Sequence, residues 1–319
     1  MLQHYQETFK VSKNGEGKRV LLIAGMHGNE RTPIQSLILF KTNHLQKLIE
    51  SYQKFNLSEI SEITIINGIN LYGIRDGIRD IANTKTGANT KDLNRKFVWE
   101  EYEKTFDPFS VLEKEVEKHD VVIDVHSSPG MMNHVMLLDY GETAFPYIKW
   151  CNDAKFQFAI RYSEERTLKR YAIEKGKIGV TLELNGMDFI DHVSARMGAQ
   201  NIEDLLMNFR QETFTKKYSG ILRTFVELQS PETGLLVFPH VLDYSGKVLC
   251  DVTTSQTTFS GNGSLLYVKD KGSFVKKGEI AFALQPEVLI QEHKEPQPVE
   301  VTPKEVPATE EIKNEQPKA

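Results

Sequence analysis

Cysteine is almost absent from this sequence, which has only Cys151 and Cys250 among 319 residues. The two lie far apart and without metal-type spacing, which argues against a disulfide framework and fits reduced thiols in a cytoplasm. The chain also has no apolar run of about 18 residues, so we expect no membrane-spanning segment. Its first residues lack the basic and apolar regions of a secretion signal. We therefore predict a cytoplasmic protein with no membrane partner.

Charge of one sign is not concentrated anywhere in the chain. Lys and Arg number 39 against 44 Asp and Glu, for a formal net charge of -5. No basic stripe with interleaved aromatic residues occurs, so we expect no nucleic-acid partner. The hydrophobic content of 39% is enough for one large domain and a small one.

The pattern of the sequence changes twice along the chain. In residues 1–221, apolar runs such as RVLLIAG and DVVIDVHSS alternate with amphipathic helical patterns, which predicts an α/β domain with a mixed, mainly parallel sheet flanked by helices. In residues 222–290, short strand-like runs separated by Gly, Ser and Asn predict a small all-β barrel or sandwich. Residues 291–319 are rich in Glu, Lys and Pro, which predicts a disordered tail.

Two potential metal ligands follow the first buried strand of the predicted sheet. His27 and Glu30, in the stretch MHGNE, come directly after RVLLIAG, and sites in open α/β sheets lie beyond the carboxyl ends of the strands. Imidazole and carboxylate suit zinc, but two ligands are too few for tight binding. His126 again follows an apolar strand, VVIDV; alone it would be an ordinary packing histidine, but together with the first pair it favours a three-ligand catalytic zinc site open to water.

Further polar residues fall in a third strand and in the string DLNR. Glu183 lies within the apolar strand TLEL, where a buried carboxylate is costly without a partner, so it is either a general base or a salt-bridged strand residue. In DLNR, Asn94 and Arg95 could clamp a substrate carboxylate, and Asp92 could orient a metal-ligating histidine. Alone, this string is weak evidence.

The order of these motifs resembles a known group of enzymes. H-x-x-E, then N-x-x-G with a following Arg, then D-L-N-R, a strand-end D-x-H-S and E-L after a strand resemble the zinc carboxypeptidase clan. The short spacing of the histidines and the β-rich C-terminal region are most similar to its succinylglutamate desuccinylase and aspartoacylase branch. The resemblance extends from about residue 19 to about residue 285.

The resemblance implies a role for each matching residue. It implies one Zn²⁺ per chain on His27, Glu30 and His126, with Glu183 as the general base, Asn94 and Arg95 on the substrate carboxylate, and Asp92 behind His27.

The arginine that polarises the scissile carbonyl has two candidates. We prefer Arg79, nine residues after Asn70, with Arg75 as the alternative. Two departures from the family pattern are the longer segment IANTKTGANTK and Leu71 in place of the usual proline. The loop that sets substrate choice is therefore expected to differ.

The leading functional prediction is a zinc-dependent hydrolase that cleaves the amide bond of a small N-acyl amino acid. A zinc metallocarboxypeptidase acting on peptides or cell-wall fragments is the alternative enzyme, since both need a carboxylate clamp. A catalytically silent metal-binding or scaffold protein is the alternative outside enzymes. The sequence leaves homo-oligomer formation open.

Overall fold

A seven-stranded sheet forms the centre of the protein. The computed structural model describes residues 5–80, 92–95, 108–128, 134–139, 142–161 and 166–216, together with strands between residues 218 and 292. The strands of the central sheet are β1 Tyr5–Lys10, β2 Lys18–Ala24, β3 Ile60–Asn67, β4 Val121–Ser128, β5 Val135–Asp139, β6 Gln157–Arg161 and β7 Ile178–Asn185. Their order in the sheet is β1-β3-β2-β4-β7-β5-β6.

The middle of this sheet is parallel. β3, β2, β4 and β7 run in one direction, whereas β1 pairs antiparallel with β3 and β5 pairs antiparallel with β7. The central strands are almost continuously apolar because helices cover both faces. The predicted mixed, mainly parallel α/β sheet is confirmed.

The helices lie between the strands. They are α1 Arg31–Leu39, α2 Leu45–Lys54, α3 Leu71–Asp76, α4 Pro108–Lys118, α5 Phe145–Asp153, α6 Leu168–Glu174 and α7 His192–Met207. A π-helical segment, Phe40–His44, joins α1 to α2, and 3-10 turns occur at Leu93–Arg95, Glu142–Ala144 and Gln211–Phe214. Across the described residues, no helix has the length and apolar character needed to cross a bilayer.

Two hydrophobic clusters anchor the sheet. Alternation along β2 sends Val20 and Leu22 into one cluster and Leu21 and Ile23 into the other, and all four side chains are fully buried. In the larger cluster the indole of Trp150 donates to a backbone carbonyl of α7, so its polar atom is not left unpaired. The sheet is therefore a rigid support for the residues that follow its strands.

The described residues beyond 217 are strands. They are β8 Tyr218–Leu222, β9 Val226–Gln229, β10 Gly234–Val241, β11 Val248–Val252, β12 Leu265–Val268, β13 Phe274–Val275, β14 Ile280–Leu284 and β15 Val288–Glu292. All their pairings are antiparallel, in the orders β11-β10-β13, β12-β14-β9 and β15-β8.

The boundaries at 221 and 290 stay predictions. β15 includes Gln291 and Glu292, the first residues of the predicted tail. Residues 293–319 lie outside the described part of the chain.

Candidate metal centre

The turn between β2 and α1 is built around two glycines. Gly25 has a φ of +80°, which side chains other than glycine rarely adopt. A Cβ at Gly28 would lie 1.9 Å from the carbonyl carbon of Gly73, so only glycine lets the turn pass against α3. The turn therefore brings His27 and Glu30 together on one side, both almost fully buried.

His27, Glu30 and His126 converge on one point. The His27 Nδ1 atom lies 2.6 Å from Glu30 Oε1, and His126 Nδ1 lies 3.0 Å from Glu30 Oε2 and 3.0 Å from His27 Nδ1. In a tetrahedral zinc site with bonds of about 2.0–2.1 Å, ligand atoms are roughly 3.3 Å apart. Among the described residues, no other group of three or more His, Cys, Asp or Glu gathers its ligand atoms as closely.

Two aspartates fix the orientation of the imidazoles. His27 Nε2 lies 3.0 Å from Asp92 Oδ1, and His126 Nε2 lies 2.7 Å from Asp124 Oδ2. An ionised carboxylate accepts hydrogen bonds but cannot donate them. Each histidine therefore donates its Nε2–H to the aspartate and directs Nδ1 towards the shared point. Carboxylates behind ligating histidines are the usual second layer of a metal site.

The sequence interpretation included Asp124 in the strand-end D-x-H-S motif but gave it no role. The spacing Asp-x-His within a strand could have indicated that role, because residues two apart in a strand lie on the same face.

The electrostatics of the cluster favour a positive charge at the shared point. Burial raises the pKa of Glu30, but His126 and His27 outweigh it and hold the pKa far below its ordinary value. Burial lowers the pKa of His126, but the charges of Asp124 and Glu30 raise it well above the ordinary range. A metal ion supplies such a charge, and the nitrogen and oxygen donors suit zinc, so the residues fit the predicted ion.

Glu183 lies next to this cluster in the sheet. It is the register partner of His126 across the parallel pair β4 and β7. The Ser128 hydroxyl donates a 2.8 Å hydrogen bond to Glu183 Oε2 and orients the carboxylate. Glu183 lines the same pocket as the three ligands without belonging to their cluster.

Of the two candidate arginines, Arg79 lines the pocket. Its Nη1 atom donates to Glu30 Oε1 at 3.0 Å, and its Nη2 atom lies 3.1 Å from Asp92 Oδ2. The guanidinium remains 41% exposed. Arg75 pairs with its neighbour Asp76 and is not among the described residues that line the pocket.

Asn94 and Arg95 occupy different surroundings. The Asn94 side chain is buried, where its Oδ1 accepts from the Leu168 N–H at 2.8 Å and its Nδ2 donates to Asp124 at 3.3 Å. Arg95 is exposed and also lines the pocket. The structure thus brings Asn94 behind His126, and the proposed contact of its amide with a substrate carboxylate stays a prediction.

The pocket is polar. Its volume is about 620 Å³ when the part open to solvent is counted. The described residues that line it are His27, Glu30, Arg79, Asn94, Arg95, His126, Ser128, Leu137, Thr167, Lys169, Thr181 and Glu183. The sequence did not predict that Lys169, Thr167 and Thr181 line the pocket, because none of them belongs to a recognisable motif.

The chain belongs to the succinylglutamate desuccinylase/aspartoacylase family. A family model described as the succinylglutamate desuccinylase/aspartoacylase catalytic domain matches residues 16–208. This confirms the resemblance inferred from the motifs. A search of curated proteins finds no match to the chain.

Solved structures show the same fold. A family member from Shewanella amazonensis is 15% identical, with 91% of this chain and 96% of that chain covered and a TM-score of 0.56. The ectoine utilization protein EutE (DoeB) from Ruegeria pomeroyi, solved with product, is 15% identical, with 88% of each chain covered and a TM-score of 0.57. A succinylglutamate desuccinylase from Silicibacter is 17% identical over 90% of this chain and 88% of that chain, with a TM-score of 0.54.

Proposed function

We propose that this protein is a zinc-dependent hydrolase that cleaves the amide bond of a small N-acyl amino acid. The observation that carries the proposal is the convergence of two Nδ1 atoms and one carboxylate, with Glu183 beside them in the neighbouring strand. Membership of a family described by a desuccinylase and an aspartoacylase supports the same reaction class.

The three ligands would hold the ion, and Glu183 would move the proton. Zinc held by His27, Glu30 and His126 would supply Lewis acidity to the scissile carbonyl and the attacking water. The Glu183 carboxylate accepts a proton from that water and returns it to the departing nitrogen, which requires the orientation that Ser128 provides.

Two arginines would bind the negative charges of the reaction. Arg79 lies against Glu30, so its guanidinium can stabilise charge that develops on the carbonyl oxygen. Arg95 would grip the carboxylate of the amino-acid portion with two parallel hydrogen bonds, with Asn94 as its predicted partner.

The lining favours a short, polar substrate. Leu137 is the one aliphatic residue among the described lining residues, and Lys169 adds a third cation to Arg79 and Arg95. Such walls offer little apolar area to a long or aromatic acyl group. A peptide substrate, as in a metallocarboxypeptidase, would need an open groove, so substrate length separates the two enzyme hypotheses.

The test is a hydrolysis panel on the zinc-loaded protein. The panel contains N-acetyl and N-succinyl amino acids, dipeptides and tripeptides with a free C-terminal carboxylate, and cell-wall peptide fragments. We expect turnover of N-acyl amino acids. Preference for peptides would favour the carboxypeptidase, and no turnover together with no bound metal would favour the scaffold hypothesis.

A further inference from the structure

Asn29 lies between His27 and Glu30 in the turn that follows β2, here called the metal turn. It is hydrogen-bonded to the loop that follows β7. Its Nδ2 atom donates to Asp188 Oδ1 at 3.0 Å, and its backbone carbonyl accepts from the Asp188 N–H at 2.8 Å. The Asn29 side chain is nine-tenths buried, and its Oδ1 has no hydrogen-bond partner among the described residues. Its bonding to Asp188 therefore compensates much of the cost of burying this amide.

The Asp188 backbone adopts a conformation that side chains disfavour. Its φ is +63°, in the left-handed region, where Asp and Asn are the best tolerated of the residues with a Cβ. The structure retains this conformation at a residue that is exposed and outside the core. Strain of this kind persists only when surrounding contacts hold it in place, and the two bonds to Asn29 are such contacts.

A second set of contacts joins the same two segments. Thr32, fully buried in the first turn of α1, accepts from the Asp191 N–H at 3.0 Å and donates to the Phe189 carbonyl at 3.3 Å. A Cβ at Gly186 would lie 2.6 Å from the Thr32 hydroxyl, so the loop approaches α1 as closely as glycine allows. The loop after the Glu183 strand is thus held to the metal turn on both sides of Glu30.

We propose that Asn29 and Asp188 are positioning residues that hold the zinc-binding turn in its liganding conformation relative to the strand that carries Glu183. The inference rests on the proposed zinc function. Neither residue is a ligand or touches the reacting atoms. Their pairing pre-organises His27 and Glu30, so zinc binding need not order the turn.

Two substitutions at position 188 separate the side-chain bond from the backbone conformation. Asp188→Gly keeps the left-handed backbone and removes the acceptor. Asp188→Asn keeps both, because an amide oxygen can accept from Asn29. The exposed Asn56, with a φ of +52° in the turn after α2, provides the control Asn56→Gly. Asn29→Ala removes the other partner.

The measurement is zinc affinity by competition with a chelator, without substrate, alongside the unfolding temperature of the zinc-free proteins. We expect Asp188→Gly and Asn29→Ala each to weaken zinc binding about 10-fold, the low end for residues that support ligands indirectly. The double variant should be no weaker than the worse single variant. Asp188→Asn and Asn56→Gly should bind zinc within about threefold of the parent.

Parental affinity in Asp188→Gly would overturn the proposal, as would equal losses in Asp188→Gly and Asp188→Asn. If Asn56→Gly lost as much zinc affinity as Asp188→Gly, the effect would come from general destabilisation of the protein, and the proposal would also be overturned. The affinity measurement needs no substrate. A parent protein that binds zinc but hydrolyses no substrate would therefore contradict the proposed function and leave the proposal about Asn29 and Asp188 testable.

Discussion

Glu30 and Glu183 are both carboxylates beside the candidate zinc site, and glutamine at each position should have different effects. Glu30 accepts from Ser127 N–H at 2.9 Å through Oε2 and from Arg79 at 3.0 Å through Oε1. A glutamine amide must therefore turn its NH₂ group towards one donor or the other, and it also loses the negative charge. Losing one charge-assisted hydrogen bond costs about 1.5–3 kcal/mol, which is about 10- to 150-fold in zinc affinity.

Glu183→Gln should keep the zinc and lose rate. The glutamine preserves the shape of the side chain and can accept from Ser128, but it cannot take a proton, and general acid–base catalysis contributes roughly 10² to 10⁴ in rate. Zinc per chain by atomic emission, together with kcat on the best substrate of the panel, separates the two variants. If Glu183→Gln lost its zinc or turned over at the parental rate, the assignment of base and ligand would be wrong.

Three further outcomes follow from the same geometry. Arg95→Lys should raise KM sharply and leave zinc content intact, because lysine lacks the two-pronged fork; an unchanged KM in steady-state assays would place the clamp elsewhere. Asp124→Asn should weaken zinc binding about 10- to 100-fold in chelator competition, since it removes the charge behind His126, and parental affinity would contradict that role. Burial lowers the pKa of His134 to about 4, although the charge of Asp191 acts in the opposite direction. The unfolded chain takes up this proton near pH 6.5 and the native protein only near pH 4, so stability should fall as pH drops through that window, by up to about 3 kcal/mol. Denaturant unfolding at a series of pH values should show that the free energy of unfolding falls less below pH 6.5 in His134→Gln than in the parent. The exposed His192→Gln should behave as the parent does, and the same pH dependence in all three proteins would refute the reasoning.

The strands and the residues that follow them could be predicted because their signals are local. RVLLIAG and VVIDV are apolar apart from Arg19 and Asp124, as expected for strands covered on both faces, and this places His27 and His126 at the same edge of the sheet. The antiparallel β5 beside β7 could not be predicted, because strand direction depends on connections that leave no periodic pattern.

Residues that act through other residues were harder to predict. In the sequence, Asp124 is one polar residue in an otherwise apolar strand. Only the structure shows that its carboxylate orients the imidazole of His126. Arg79 and Arg75 are four residues apart and chemically alike; α3 ends at Asp76, which leaves Arg75 beside that aspartate while Arg79 reaches Glu30. Lys169 faces the pocket because of where α6 begins, which composition does not reveal.

The alignment of β2, β4 and β7 also has a consequence for how the protein folds. His27 and His126 are 99 residues apart in the chain, and Ser128 and Glu183 are 55 apart, so the centre exists only after distant segments have paired. Parallel pairing over such separations is slow, because the loss of chain entropy precedes the contacts that compensate it. The ion should accordingly have little affinity for early intermediates, and it should slow unfolding more than it accelerates folding.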